Sequence, residues 1–272
     1  MIATVDFATN PVDGTRIAYS VTGAPTGPPV MLVHGSLLSH QIWRTFGYVR
    51  ALRDTYRLIL VDQRGHGRSD APRTVDSYSM DRISEDLVAV LDAVNVDAVH
   101  YVGYSFGGRS GLNLVTRTPE RVASLVVGGA GSGPQRGALD SLFFDGSADV
   151  LAERGMDGFV HEWANRRGFP VDSGTRAAFL RNDSEALAAY FRASDDDPGI
   201  ADDAVHAITA PTLFYVGSRD IQRIDDTRRT ASLIAGSEYE ELRGYDHATA
   251  VAAPEAVELV SGWLDTVTSS ER

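Results

Sequence analysis

Residues 98–109 read Ala98-Val99-His100-Tyr101-Val102-Gly103-Tyr104-Ser105-Phe106-Gly107-Gly108-Arg109, an apolar run that ends in a glycine–serine–glycine bend. The run 98–102 has the length and β-branched character of a strand buried on both faces. Residues 106–117 read as a helix. Between them Gly103-x-Ser105-x-Gly107 matches G-x-S-x-G, and strand–turn–helix is the context in which that short motif carries meaning. The logic is steric. A serine on a bend this tight needs small residues two before and two after it. The bend lifts the hydroxyl above the sheet edge, and the following helix points the positive end of its dipole at it. The pentapeptide alone is weak in a chain with 26 glycines; its position makes it informative.

Similar apolar runs flank this one at 29–34, 57–61, 122–128 and 212–216, with a shorter strand-like piece at 238–242. Helical spacing recurs between them. Ile83, Leu87, Val90 and Leu91 share one face of a helix over 80–94. Val257, Leu259, Val260, Trp263 and Leu264 do the same over 252–267. This alternation predicts an α/β fold with a mostly parallel, doubly wound sheet. Upstream, 2–8 and 16–22 flank the turn Pro11-Val12-Asp13-Gly14 and read as an antiparallel hairpin. The rhythm breaks between 132 and 205. Segments 147–155, 157–167, 174–182 and 184–193 look helical there, and a structureless loop of that length is improbable. The expected organisation is a core of 1–131 plus 206–272, with 132–205 as a helical cap.

Composition narrows the chemistry. The 272 residues are 43% hydrophobic and 23% charged, the profile of a globular domain. There is no cysteine, so disulfides, thiolate metal sites and a cysteine nucleophile are excluded. All 25 basic residues are arginine, which excludes a lysine Schiff base or a P-loop lysine. A net charge of −12 argues against nucleic acid or an anionic membrane as partner. No stretch reaches 18 uninterrupted apolar residues, and Met1 to Pro11 has neither a basic nor an apolar leader segment. A cytoplasmic location is the expectation.

A serine hydroxyl needs a base. Of seven histidines, His247 is the candidate, because it stands in the loop Gly244-Tyr245-Asp246-His247 before the last helix. The chain order serine, acid, histidine then requires a carboxylate between 105 and 247. Asp220 lies just past the strand at 212–216, at the sheet's carboxyl edge, where α/β sites gather. Asp225 and Asp226 compete, but they read as the first turn of the next helix, a place the dipole alone explains. Charge developing on a substrate carbonyl calls for two backbone N–H donors. Phe106 is one; the other comes from His34-Gly35-Ser36, with Ser36 preferred and Leu37 the alternative.

Three motifs in order, His34-Gly35-Ser36, Asp62-Gln63-Arg64-Gly65-His66-Gly67-Arg68-Ser69 and Gly103 to Gly108, together with Asp220 and His247, make the chain resemble the α/β-hydrolase superfamily along nearly its whole length. The resemblance implies an eight-stranded sheet with an antiparallel second strand, a cap inserted after the sixth strand, a structural role for 62–69, and no cofactor or metal. Serine at 105 argues against the haloalkane dehalogenases and related epoxide hydrolases, which carry aspartate there. The implied activity is hydrolysis of a small ester or lactone through an acyl-enzyme. The alternatives are a lyase or carbon–carbon bond hydrolase using the same three residues, or a non-catalytic small-ligand receptor. The elbow through Arg109 also resembles that of a menaquinone-pathway lyase, whose chemistry needs basic side chains on carboxylates. Arg109 is thus a candidate substrate contact, beside the reading of a salt-bridged helix residue. Leu37, Trp43, Phe144, Phe159 and Trp163 are the other candidates for the pocket wall, and Arg166 and Arg167 are expected to face solvent.

Overall fold

A computed structural model describes residues 4–270. The beginning of the 2–8 strand expectation and the last two residues of the polar tail lie outside that range. Among the described residues eight strands form one sheet: β1 Asp6–Thr9, β2 Arg16–Gly23, β3 Pro29–Val33, β4 Arg57–Val61, β5 Val99–Tyr104, β6 Val122–Gly128, β7 Thr212–Gly217 and β8 Glu238–Leu242, in the order β1-β2-β4-β3-β5-β6-β7-β8. β2 runs antiparallel to both neighbours, and every other pairing is parallel. The helices are α1 Gln41–Thr45, α2 Tyr48–Leu52, α3 Met80–Ala93, α4 Phe106–Arg117, α5 Ala138–Leu142, α6 Ser147–Arg167, α7 Ser173–Phe179, α8 Ser184–Asp195, α9 Asp202–His206, α10 Ile224–Leu233 and α11 Pro254–Ser270.

The period-two alternation of strand side chains divides the core. Met31 and Val33 face one layer with Leu87 and Val90 of α3, Leu112 and Leu114 of α4 and Ala231 of α10. Val30 and Leu32 face the other with Val49 and Leu52 of α2 and Val260 and Leu264 of α11. Central strands covered on both sides must be apolar throughout, and every residue of β5 and β7 is buried. This is the α/β-hydrolase sheet that the sequence resemblance implies.

The strand order fixes where a site can form. The chain leaves β3 toward β4 on one side and returns as β5 on the other, so β3 and β5 flank a topological switch point. Loops leaving their carboxyl ends diverge and open a crevice there. The two loops concerned are 34–40 and the Ser105 bend. Over that crevice lie α5 to α8, from the excursion between β6 and β7. They have their own apolar cluster, which includes Phe143, Phe159, Phe179 and Phe191 and reaches the core at Leu37, Tyr78 and Phe106. α6 spans both expected helices of its region, with the break at Gly155, whose φ of 68° interrupts the helix. α9 belongs instead with the sheet layer: its Val205 is buried in the cluster that holds Phe214 and Ala231.

The segment 62–69 is a buried turn. Asp62 accepts from the His40 N–H at 2.7 Å, from His40 Nδ1 at 2.8 Å and from the Arg68 N–H at 3.0 Å. A side chain on Gly67, where φ is 59°, would collide with that carboxylate. Arg64, with no exposed side-chain surface, forks onto both oxygens of Asp86 at 2.6 and 2.7 Å and also reaches Asp13. The Asp62 bonds brace the loop after β4 against the loop after β3, and the Arg64 bonds tie it to α3 and to the turn between β1 and β2.

Candidate active site

Ser105 follows β5 directly and adopts φ 54°, ψ −115°, a strained conformation for a residue with a Cβ. Its N–H donates to Gly128 O at 2.7 Å and its carbonyl accepts from the Arg109 N–H at 2.9 Å, so β6 and the first turn of α4 hold the bend closed. The glycine pattern has a concrete cause. A Cβ on Gly103 would run into the Gly107 carbonyl, and one on Gly107 would run into the Val33 carbonyl. The elbow is pressed against β3, and only glycine fits at either position.

The structure brings Ser105, His247 and Asp220 together. His247 Nε2 lies 2.9 Å from Ser105 Oγ, and His247 Nδ1 lies 2.6 Å from Asp220 Oδ2. The ionised acid can only accept, so Nδ1 carries the proton and Nε2 is free to accept from the serine. Asp220 is fully buried and His247 is 8% exposed. The His247 loop is fastened from below: Tyr104, inside the elbow itself, donates its hydroxyl to the His247 carbonyl at 2.6 Å. The competing acids are occupied elsewhere. Asp226 accepts from the Gly133 N–H at 3.0 Å, and exposed Asp225 pairs with Arg228.

The loop after β3 passes beside the hydroxyl; a Cβ on Gly35 would sit 3.2 Å from Ser105 Cβ. Among the described residues no acceptor meets the backbone N–H of Ser36, Leu37 or Phe106. Leu37 takes φ 65°, and Asn182 donates to its carbonyl at 2.9 Å. Ser36 Oγ is hydrogen-bonded to Tyr190 Oη at 2.7 Å, and the Tyr190 ring packs on Phe106 with centroids 4.4 Å apart. His34 is structural. Its Nδ1 donates to Gly35 O at 2.7 Å and its Nε2 accepts from the Gln63 N–H at 3.1 Å. Burial lowers its pKa and keeps it neutral.

A cavity of about 30 Å³ opens onto Ser105 and is also lined by Ser36, Tyr190, Gln135, Ser194 and Arg223. Several expected pocket residues do not line it. Leu37 turns its side chain into the cluster shared with Phe106 and is 1% exposed. Trp43 is fully buried in the layer under α1, α2 and α11, edge-on to Tyr48 at 4.8 Å. Phe144 and Phe159 pack on each other at 5.1 Å, and Trp163 stacks on Phe179 at 5.4 Å with Arg167 over its ring. A helical segment this long needs a core of its own, and its aromatics are used there. Arg109 does border the cavity, but its guanidinium donates to both oxygens of Asp197 at 2.8 to 3.0 Å and to Gly131 O. It is a salt-bridged helix residue whose charge is matched by Asp197, with four of its five donors already used. Arg166 is exposed, as expected.

With that geometry in view, the likeness to known proteins falls into place. Residues 28–146 match the model of the α/β-hydrolase fold family. The chain is 33% identical over 217 residues, 74% of its own length and 77% of the relative's, to a putative carbamate hydrolase, RutD, of Variovorax paradoxus. The chain belongs to the α/β-hydrolase family. Over 94% of this α/β-hydrolase and 97% of the relative, it is 26% identical to a putative 2-succinyl-6-hydroxy-2,4-cyclohexadiene-1-carboxylate synthase of Bacillus subtilis. Its fold superposes on a carboxylesterase-study structure from Nitrososphaera gargenis with a TM-score of 0.84 at 21% identity, covering 97% of this chain and 100% of the other. No helix among the described residues is long and apolar enough to cross a membrane.

Arg223, Ser194 and Gln135 are among the site residues that sequence reasoning missed. Arg223 had a signal: it lies three residues after Asp220, so the turn that delivers the acid to the crevice also delivers the next helix's first residues. Ser194 had none, because its place depends on how α8 docks.

Proposed function

We propose that this α/β-hydrolase cleaves a small-molecule ester or lactone through an acyl-enzyme on Ser105, beneath a cap formed by helices α5 to α8 of the segment 132–205. The observation that carries the reading is the contact of Ser105 Oγ with His247 Nε2 at 2.9 Å on a strained elbow, beside uncommitted N–H groups. Ser105 Oγ attacks the carbonyl carbon while His247 Nε2 takes its proton, and Asp220 stabilises the imidazolium that forms. The Phe106 and Ser36 N–H groups receive the charge on the carbonyl oxygen. Collapse of the tetrahedral intermediate expels the alkoxide, which leaves as the alcohol with the proton from His247. A water then gives its proton to His247 and attacks the acyl carbon. Ser105 Oγ departs with that proton, and the acid is released.

One observation favours this over a lyase on the same residues. Arg109, the cation that the lyase reading looks to, is neutralised by Asp197. The test is an ester panel with short p-nitrophenyl esters, followed by mass spectrometry of the quenched enzyme and by labelling with a fluorophosphonate. The expected result is a burst, an acyl adduct and a phosphonate adduct, all on Ser105. Turnover with no adduct on Ser105 sinks the reading, and binding without turnover points to the receptor.

A further inference from the structure

The cavity above Ser105 holds two arginines in opposite electrostatic states. Arg109 is fully matched by Asp197. Arg223 is not. Its Nη2 donates to the Ala138 carbonyl at 3.2 Å, and among the described residues no carboxylate lies within ion-pair distance of it. Asp220, which spends Oδ2 on His247 and leaves Oδ1 without a hydrogen-bond partner, and Asp226, bonded to the Gly133 N–H, act on it only through space. The neighbouring phenols Tyr190 and Tyr104 are neutral, since burial raises their pKa values. Arg223 is half-buried, and its nitrogens without a protein partner are not fully enclosed. Its remaining donors therefore reach accessible space, and the residue lines the cavity.

A half-buried cation with no hydrogen-bonded counter-ion is costly unless something of opposite charge visits it. Burial already pulls the Arg223 guanidinium below its ordinary value. Ser194, whose hydroxyl has no hydrogen-bond partner among the described residues, lines the same cavity. A planar fork with a hydroxyl beside it is the arrangement that recognises a carboxylate.

We propose that Arg223 anchors an anionic group of the substrate, so that this enzyme takes carboxylate-bearing esters or lactones in preference to neutral ones. The proposal rests on the serine-hydrolase reading and names the substrate class of that site. The guanidinium lines the same cavity as the Ser105 hydroxyl, which keeps the anchored group on the molecule that is cleaved and explains why the cavity is not simply apolar. Arg109 then serves the opposite purpose: it fixes Asp197 and keeps that acid from competing for Arg223.

The test compares matched pairs on the wild-type protein. Mono-p-nitrophenyl adipate is set against its terminal carboxamide, which places the charge on the acyl side. 4-Acetoxybenzoate is set against 4-acetoxybenzamide, which places it on the leaving group. The expected kcat/KM ratio favours the carboxylate in one pair by roughly 10- to 100-fold, the range for a charge-assisted bond. In Arg223→Gln that ratio collapses toward unity, and in Arg223→Lys it recovers in part. A wild-type ratio near one in both pairs overturns the proposal and needs no variant to fold. An equal loss on both members of a pair in Arg223→Gln also overturns it, because the arginine then acts through Asp220. Neither outcome touches the serine-hydrolase reading, which stands or falls on the adduct at Ser105.

Discussion

The sheet edge and the helical cover meet at one cavity but are specified in different ways. At the sheet edge, backbone geometry dictates side-chain identity. Gly103 and Gly107 are glycine because carbonyls occupy the space a Cβ would need, and Ser105 stands at φ 54° because the bend demands it. In the cover, identity follows from side chains packing on side chains, as in the ring cluster of Phe143, Phe159 and Phe191. A strained backbone admits few sequences, whereas a packed core admits many. The edge should therefore fail abruptly on substitution and the cover by degrees.

The largest expected effect is at the edge. Ser105→Ala and His247→Ala should each lower kcat by about 10⁴-fold or more, and Asp220→Asn somewhat less, with unfolding midpoints little changed. Steady-state ester hydrolysis beside a urea melt measures both. Residual activity within tenfold of wild type in Ser105→Ala would show that another group attacks, and the contrast would lose its chemical half.

Next comes the seam between the regions. Asp197, just past α8, neutralises Arg109 of α4, and both side chains are largely buried, at 10% and 5% exposure. Asp197→Ala strands a buried cation and should cost about 3–5 kcal/mol, read from chemical denaturation. The double variant Asp197→Ala with Arg109→Met should recover much of that loss. No recovery would mean that the pair is not what joins the cover to the core.

This division explains what was legible. The strands, the helix after the elbow and the chain order of Ser105, Asp220 and His247 can be read because each depends on a local pattern or on the fixed polarity of a parallel sheet. Helices α6, α7 and α8 of the cover could also be read from spacing, α6 as two segments, whereas the short α5 could not. Nor could their facing. Trp43 looked close to the site because it follows the β3 loop, yet α1 turns it into the layer beneath the sheet. Phe144, Phe159 and Trp163 were the right residues for an apolar wall but were needed for the cover's own core. Arg109 and Arg223 carry the same charge, and what separates them is Asp197, 88 residues away from Arg109.

His66 tests the junction through pH. Its ring lies against Phe106 and Tyr190, with His34 and Asp62 nearby, and burial pulls its pKa down to about 3 from 6.5. Between those values the unfolded chain binds more protons than the folded one. Its contribution is therefore fully present above about 6.5 and declines as pH falls toward 3. In that window one such histidine tilts stability by about 1.4 kcal/mol per pH unit. His66→Gln should flatten the acid limb of the unfolding free energy by up to that amount, while His34, shifted in the same direction, preserves the rest. An unchanged acid limb would mean that His66 takes up protons in the folded protein.

The smallest expected effect is the most diagnostic for the contact between the regions. Tyr190 Oη and Ser36 Oγ share a 2.7 Å hydrogen bond, which ties α8 to the loop that we read as supplying an oxyanion donor. Tyr190→Phe keeps the ring on Phe106 and removes only that bond, worth about 0.5–1.5 kcal/mol. If the bond positions the loop, the loss appears in kcat, roughly three- to tenfold, with KM nearly constant. Ser36→Ala should give a similar loss, and the double variant should fall no further, because the two hydroxyls form one interaction. A change confined to KM would make Tyr190 a wall of the pocket. Additive losses would mean that each hydroxyl acts alone, leaving the cover with no hold on the chemistry beneath it.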